Sequence, residues 1–225
     1  HHYLALREEL NLSRTVYVQP SHYERDNSCM LDAMVSDPAE ARGVAVVGVE
    51  AAKSEFKRLN DIGVRGARFS FLFSGCLTYE ELDPVANRIA DFNWHAQLQL
   101  DGNELPLLER QLKALPVPIV IDHLGRIPVT GSINSHAHSA LYRLLDAGKC
   151  WVKLSAPYHV SKDTTGNCSD VAPLARYLIA NYPDRLLWGS NWPHPNALSN
   201  PPDDKRLLQL FCEWCASDKI VRQIL

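Results

Sequence analysis

A chain of 225 residues, 46% of them hydrophobic, is long enough to bury a large core as one or two domains. Its formal charge of −3 supplies no basic field, which argues against a nucleic-acid partner. No apolar run approaches the ~18 residues of a membrane span, and the charges among the leucines of "HHYLALREELNL" make residues 1–12 a poor signal peptide, so no membrane role and a cytoplasmic location are expected.

In chain order, a helical pattern over 1–12 comes first. Seven short apolar, β-branched runs follow: "TVYVQ" (15–19), "GVAVVGV" (43–49), "VRGARFSFLF" (64–73), "WHAQLQL" (94–100), "VPIVIDHL" (117–124), "CWVKLSA" (150–156) and "RLLWGSN" (185–191). The segments between them, such as "AAKSEFKRLNDIG" and "HSALYRLLDAG", place apolar residues at i, i+3 and i+4 and end on Gly or Pro, which predicts helices. One further helix is expected over 203–225. The last run, "LLWGSNWPHP", reads as a buried strand entering a Pro-locked turn.

Strict alternation of this kind predicts parallel strands with right-handed crossovers. A (β/α)₈ barrel needs eight strands and ~250 residues, so an α/β TIM barrel with its first strand missing is the expected architecture. No linker marks a boundary, and residues 1–225 are expected to form one domain. The six cysteines (Cys29, Cys76, Cys150, Cys168, Cys212, Cys215) are scattered, which favours free thiols in a reducing compartment. Cys212 and Cys215 share a helical face with no second pair nearby, and core packing is expected of them rather than metal binding or redox chemistry.

Active sites of such barrels form at the C-terminal ends of the strands. Those positions carry Gln19, Ser21 and His22; Arg68, Ser70 and Ser74; Gln99 and Asp101; Asp122, His123 and Arg126; Ser155 and His159; Asn191 and His194. Polar residues at so many strand ends are the main sign of a site. Strand alternation lets only one of Asp122 and His123 face inward, and His123 is the candidate: a neutral His can donate to a carbonyl while a neighbour fixes its other nitrogen. Arg68, within an apolar strand, needs an anionic partner, either a substrate carboxylate held bidentately or an inward acid such as Asp101. His136 and His138 lie at a predicted helix N-terminus, where i and i+2 diverge, so no metal site is expected. No glycine-rich phosphate loop or nucleophile elbow is present.

The motifs "VQPSHYERDN" followed by "MLDAM", "GVRGARFSF", "VIDHLGR" and "DRLLWGSNWPHP" occur in the order and spacing of the amidohydrolase-2 group. Along essentially its whole length the chain resembles that group, and within it the 2-pyrone-4,6-dicarboxylate hydrolase-like lactonases. The resemblance implies a barrel that opens a lactone, or a related ester or amide bond, with water and without a cofactor. A last-strand acid activates the water and histidines at strand ends polarise the carbonyl. On this chain His123 matches a polarising histidine, Arg68 a carboxylate-gripping arginine, and Ser21 a hydroxyl that bonds the same ligand. The binding set implied is Ser21, Arg68, Gln99 and His159, with a small carboxylate or lactone as partner. Three departures stand out. The metal-binding HxH strand and the Asn-Pro-containing C-terminal tail are absent, so a divalent metal is expected only if an HxH strand lies upstream. Two further family arginines fall on Ser74 and His159, and a tyrosine on Gln99. The last-strand acid is Asn191, which has the shape of the base without its chemistry; His194, three residues on, is the nearby group that could replace it. An impaired barrel that binds a small carboxylate, and a metal-dependent amidohydrolase or decarboxylase, are the alternatives.

Overall fold

The computed structural model describes residues 2–37, 41–197 and 199–225. Helix and strand alternate: α1 (His2–Glu9), β1 (Thr15–Val18), α2 (Ser28–Ser36), β2 (Ala41–Ala45), α3 (Lys53–Ile62), β3 (Val64–Ser70), α4 (Tyr79–Ala90), β4 (His95–Gln99), α5 (Leu105–Ala114), β5 (Ile119–Ile121), α6 (His136–Asp146), β6 (Cys150–Ser155), α7 (Ala172–Asn181), β7 (Leu186–Gly189), α8 (Asp204–Trp214) and α9 (Asp218–Ile224). Every expected strand forms, and the strands follow chain order in a parallel α/β sheet, the order of an amidohydrolase-type barrel.

Several boundaries differ from expectation for local reasons. His1, part of the first expected helix, lies outside the described residues, and α1 stops at Glu9. The expected helix over 203–225 is two helices: Cys215 takes an extended conformation and Ser217 caps α9 by accepting from Ile220 N–H. Cys212 is exposed and Cys215 half-buried, so the pair does not pack in the core; Trp214 between them does. The expected buried strand at β7 is half open, with Leu186 buried and Leu187 40% exposed.

The described chain divides into two compact units, Asn11–Leu100 with Arg110–Val120, and the residues up to Leu10 with Asp101–Glu109 and Ile121–Leu225. In the former, β1 to β4 pair in sequence order, with Arg68 opposite Gln97 and Ser70 opposite Gln99. Its core centres on Phe56, Phe69, Leu82, Ile89 and Trp94, all at most 1% exposed. The Phe56 ring lies 6.0 Å from both Phe92 and Trp94, and Trp94 Nε1 donates to Asn60 Oδ1 at 3.0 Å, so the indole is buried without losing its hydrogen bond. Burying an aromatic of this size is worth about 4–6 kcal/mol at ~25 cal/mol per Å². Gly63 ends α3 at φ 115°, a left-handed C-terminal position that favours glycine.

In the other unit β6 and β7 pair in parallel, with Lys153 opposite Leu187 and Ser155 opposite Gly189. Asp203 caps α8 by accepting from Lys205 N–H at 2.9 Å. Leu144, Val152, Leu154, Leu178 and Phe211 fill the interior, each at most 2% exposed.

Candidate functional site

The densest polar constellation lies in the unit that carries β6 and β7, beginning where β5 ends. His123, Leu124, Gly125 and Arg126 all have positive φ (55°, 53°, 70° and 47°), a left-handed turn built with a single glycine. Non-glycine residues there cost of order 1 kcal/mol or more each. The turn packs so closely on the 3-10 turn Gly102–Glu104 that a Cβ on Gly102 would stand 2.6 Å from Gly125 O.

This turn overturns the expected alternation of Asp122 and His123. Because β5 stops at Ile121, both side chains are buried and both reach β6: Asp122 Oδ1 lies 3.0 Å from Lys153 Nζ, and His123 Nδ1 lies 2.9 Å from Ser155 Oγ. The ion pair anchors the residue immediately before His123. The contact with Ser155 fixes the orientation of the His123 ring.

His159 closes the short 3-10 turn after β6, where Ala156 also has a positive φ of 45°. Its ring stands edge-on to His123 at 5.2 Å and 4.7 Å from Tyr158. Burial, then the charge of Arg126, then His194, push the His159 imidazole down to about 4, so it is neutral at physiological pH. Arg126 is itself partly desolvated, which lowers its pKa against the opposing charge of Asp101, and its Nη1 is buried with no hydrogen-bond partner. A ligand oxygen is the kind of group that accepts from such a donor.

Beyond β7, Asn191 and His194 again have positive φ (69° and 58°), and His194 N–H closes their turn onto Asn191 O at 2.8 Å. Asn191 Nδ2 donates to Tyr158 Oη at 2.7 Å, Tyr158 Oη lies 2.8 Å from His194 Nδ1, and His194 Nε2 lies 3.2 Å from Asp204 Oδ2. His194 is 2% and Asp204 8% exposed. His194 therefore does not stand open beside Asn191; Tyr158 stands between them. Burial raises the Tyr158 hydroxyl to about 12, the Asn191 hydrogen bond opposing and Asp204 reinforcing it.

The other unit holds the second group of sequence candidates. Arg68 Nη2 donates to Gln99 Oε1 at 2.8 Å and Ser70 Oγ donates to the same oxygen at 3.2 Å, all three residues being buried. Gln99 is thus an acceptor for Arg68. Asp101, the acid considered for Arg68, belongs to the unit that carries β6 and β7, where its Oδ1 is bonded to Asn103 N–H at 2.9 Å. Gln19 is buried and braces the next loop through Asp26 O at 2.7 Å; Ser21 is half-buried, and His22 and Ser74 are exposed.

His136 opens α6, and His138 Nδ1 is 2.7 Å from the capping Ser135 Oγ, so the HxH pair diverges as expected of a helix. Among the described residues no group of three or more His, Cys, Asp or Glu is arranged to hold a metal ion. Among the described residues, too, no helix is long and apolar enough to cross a membrane.

Tyr158 and Asp204 were missed in the sequence. Neither was among the sequence candidates; Asp203 caps α8, whereas Asp204 meets His194.

A family model described as Amidohydrolase matches residues 2–225. A 2-pyrone-4,6-dicarboxylate hydrolase of Comamonas testosteroni is 35% identical over 98% of this chain and 76% of its own length. A 4-sulfomuconolactone hydrolase of Hydrogenophaga intermedia is 31% identical over 99% and 75%. The crystal structure of an Agrobacterium tumefaciens protein, 29% identical, superposes with a TM-score of 0.91 over 99% of this chain and 80% of that one.

Proposed function

Because the chain belongs to the amidohydrolase family, as one of its hydrolases acting on small carboxylate or lactone compounds, we propose that its reaction is the opening by water of a lactone that bears one carboxylate. The observation that carries this reading is His123, buried, held at Nδ1 by Ser155 and set in a strained turn behind the Asp122–Lys153 pair. A fixed imidazole N–H aimed at a carbonyl oxygen stabilises the oxyanion that forms when water adds, an effect worth about 10²–10³ in rate where single donors have been removed. In the unit that carries β6 and β7, Asn191 orients the water and His159 belongs to the binding set; the sequence resemblance assigns Arg68, Ser21 and Gln99 to the carboxylate. Both hydrolases cited above are named for lactone-type substrates, which supports the class. The preference for one carboxylate rests on charge: His159 is neutral, Ser74 is exposed, and Gln99 is an uncharged acceptor for Arg68.

The test is a panel of lactones carrying no, one or two carboxylates, followed by ring absorbance and by ¹⁸O uptake from water. Hydrolysis with ¹⁸O in the new carboxyl, fastest for the monocarboxylates and reduced about 10²-fold or more in His123→Asn, is expected. Consumption of a lactone without solvent oxygen would mean isomerisation and would sink the reading. The amide at position 191 favours a second reading, a barrel that binds a carboxylate without turnover; binding by calorimetry with no product would establish it.

A further inference from the structure

The lactone-hydrolase reading needs a proton acceptor for the attacking water, and Asn191, an amide, is not one near neutral pH. We infer that Tyr158, backed by His194 and Asp204, is that acceptor, so that the base of this enzyme is a buried relay one side chain removed from Asn191. The inference rests on the hydrolase reading above.

Hydrogen-bond polarity supports it. A carboxylate offers only acceptors, so the Asp204 contact at 3.2 Å requires a proton on His194 Nε2. The relay takes Nδ1 as the acceptor, so that Tyr158, 2.8 Å away, donates its hydroxyl proton to it. One lone pair of Tyr158 Oη accepts from Asn191 Nδ2 at 2.7 Å. The other is the one the relay assigns to a water beside Asn191. The arrangement has the connectivity of a hydroxyl–imidazole–carboxylate triad, with a phenol in the place of the nucleophile. Burial of His194 and Asp204 keeps solvent from short-circuiting it. The left-handed conformations of Asn191 and His194 fix both ends of the turn on which the geometry depends.

The proton count closes without a co-reactant. Water oxygen bonds to the lactone carbonyl carbon and the carbonyl electrons move to its oxygen, which His123 stabilises. The water proton passes to Tyr158 Oη as the tyrosine proton passes to His194 Nδ1, leaving an imidazolium against Asp204. When the ring C–O bond breaks, the proton returns through Tyr158 to the departing ring oxygen. With its hydroxyl held up near 12, Tyr158 carries a proton through and does not rest as a phenolate.

Tyr158→Phe, shown folded by circular dichroism, should lower kcat by about 10²-fold or more, the scale of general-base assistance, with KM little changed. Asn191→Asp puts a carboxylate where the water lies. It should turn over at least as fast as the natural chain, and the Tyr158→Phe/Asn191→Asp double variant should match it, because the carboxylate then takes the proton directly. A Tyr158→Phe protein that keeps full kcat overturns the relay and leaves the hydrolase reading standing. Absence of hydrolysis in both the natural chain and Asn191→Asp overturns the hydrolase reading and the relay's role with it. Should Tyr158→Phe not fold, ¹⁵N NMR of the natural protein at pH 8 decides: His194 must show a pyridine-type Nδ1 and a pyrrole-type Nε2, and the opposite tautomer overturns the relay.

Discussion

Replacing Lys153 by methionine tests whether the ion pair behind His123 holds the site in place. Asp122 and Lys153 meet at 3.0 Å with side chains 0% and 17% exposed, so both are too desolvated for the pair to be a screened surface contact. Removing one partner of a buried pair costs about 3–5 kcal/mol, because the other charge stays buried without it. Asp122 retains a further interaction and Lys153 has some contact with water, which puts the expected loss at the lower end, about 3 kcal/mol. For a chain of this size each kcal/mol moves Tm by about 2–4 °C, so Lys153→Met should melt about 6–12 °C lower by calorimetry. Asp122→Asn in the same background removes the stranded charge and should recover a large part of that loss. Since Asp122 precedes His123, the single variant should also lose turnover at temperatures where it remains folded. A shift under 2 °C, with turnover intact, would refute the argument that this pair carries the turn.

Arg68→Met should weaken binding of a pyrone or aromatic carboxylate by about 1.5–3 kcal/mol in calorimetry, the range for charged hydrogen bonds; unchanged affinity with a lowered Tm would make the arginine structural. His159 supplies a pH dependence: its folded value of about 4 lies below the 6.5 of a free imidazole, so the unfolded chain binds the extra proton between these values. Its contribution is complete above 6.5 and is lost as pH falls toward 4, so His159→Gln should flatten that limb of a Tm-against-pH curve. Elemental analysis of the purified chain should find well under one equivalent of zinc or manganese, and a stoichiometric metal would contradict the donor arrangement.

Which segments form strands was legible in the sequence, because burial in a parallel sheet favours short β-branched and apolar runs, and each of the seven runs overlaps a strand among the described residues. The ends were less legible. "VPIVIDHL" reads as one run through Leu124, yet β5 stops at Ile121 because the chain enters a left-handed turn that its composition, with one glycine in four residues, does not announce. The same turn defeats the alternation argument for Asp122 and His123. His123, Arg68 and Asn191 were visible because polar groups at strand ends are conspicuous. Tyr158 and Asp204 were not, since a tyrosine after a strand and an acid at a helix start have ordinary reasons to be there.

The identity of residue 191 matters through the direction of the hydrogen bonds around it. An amide at 191 donates to Tyr158, which leaves the phenol proton to be directed at His194. A carboxylate at 191 has no proton to give, so the phenol would turn its proton toward it, and His194 would need a second proton to keep its contact with Tyr158. The two residues are nearly isosteric, yet they set opposite polarities along one chain of side chains. Asn191 is therefore compatible with catalysis only if the proton acceptor lies further along that chain, and in this structure the group that follows it is Tyr158, with His194 and Asp204 buried behind.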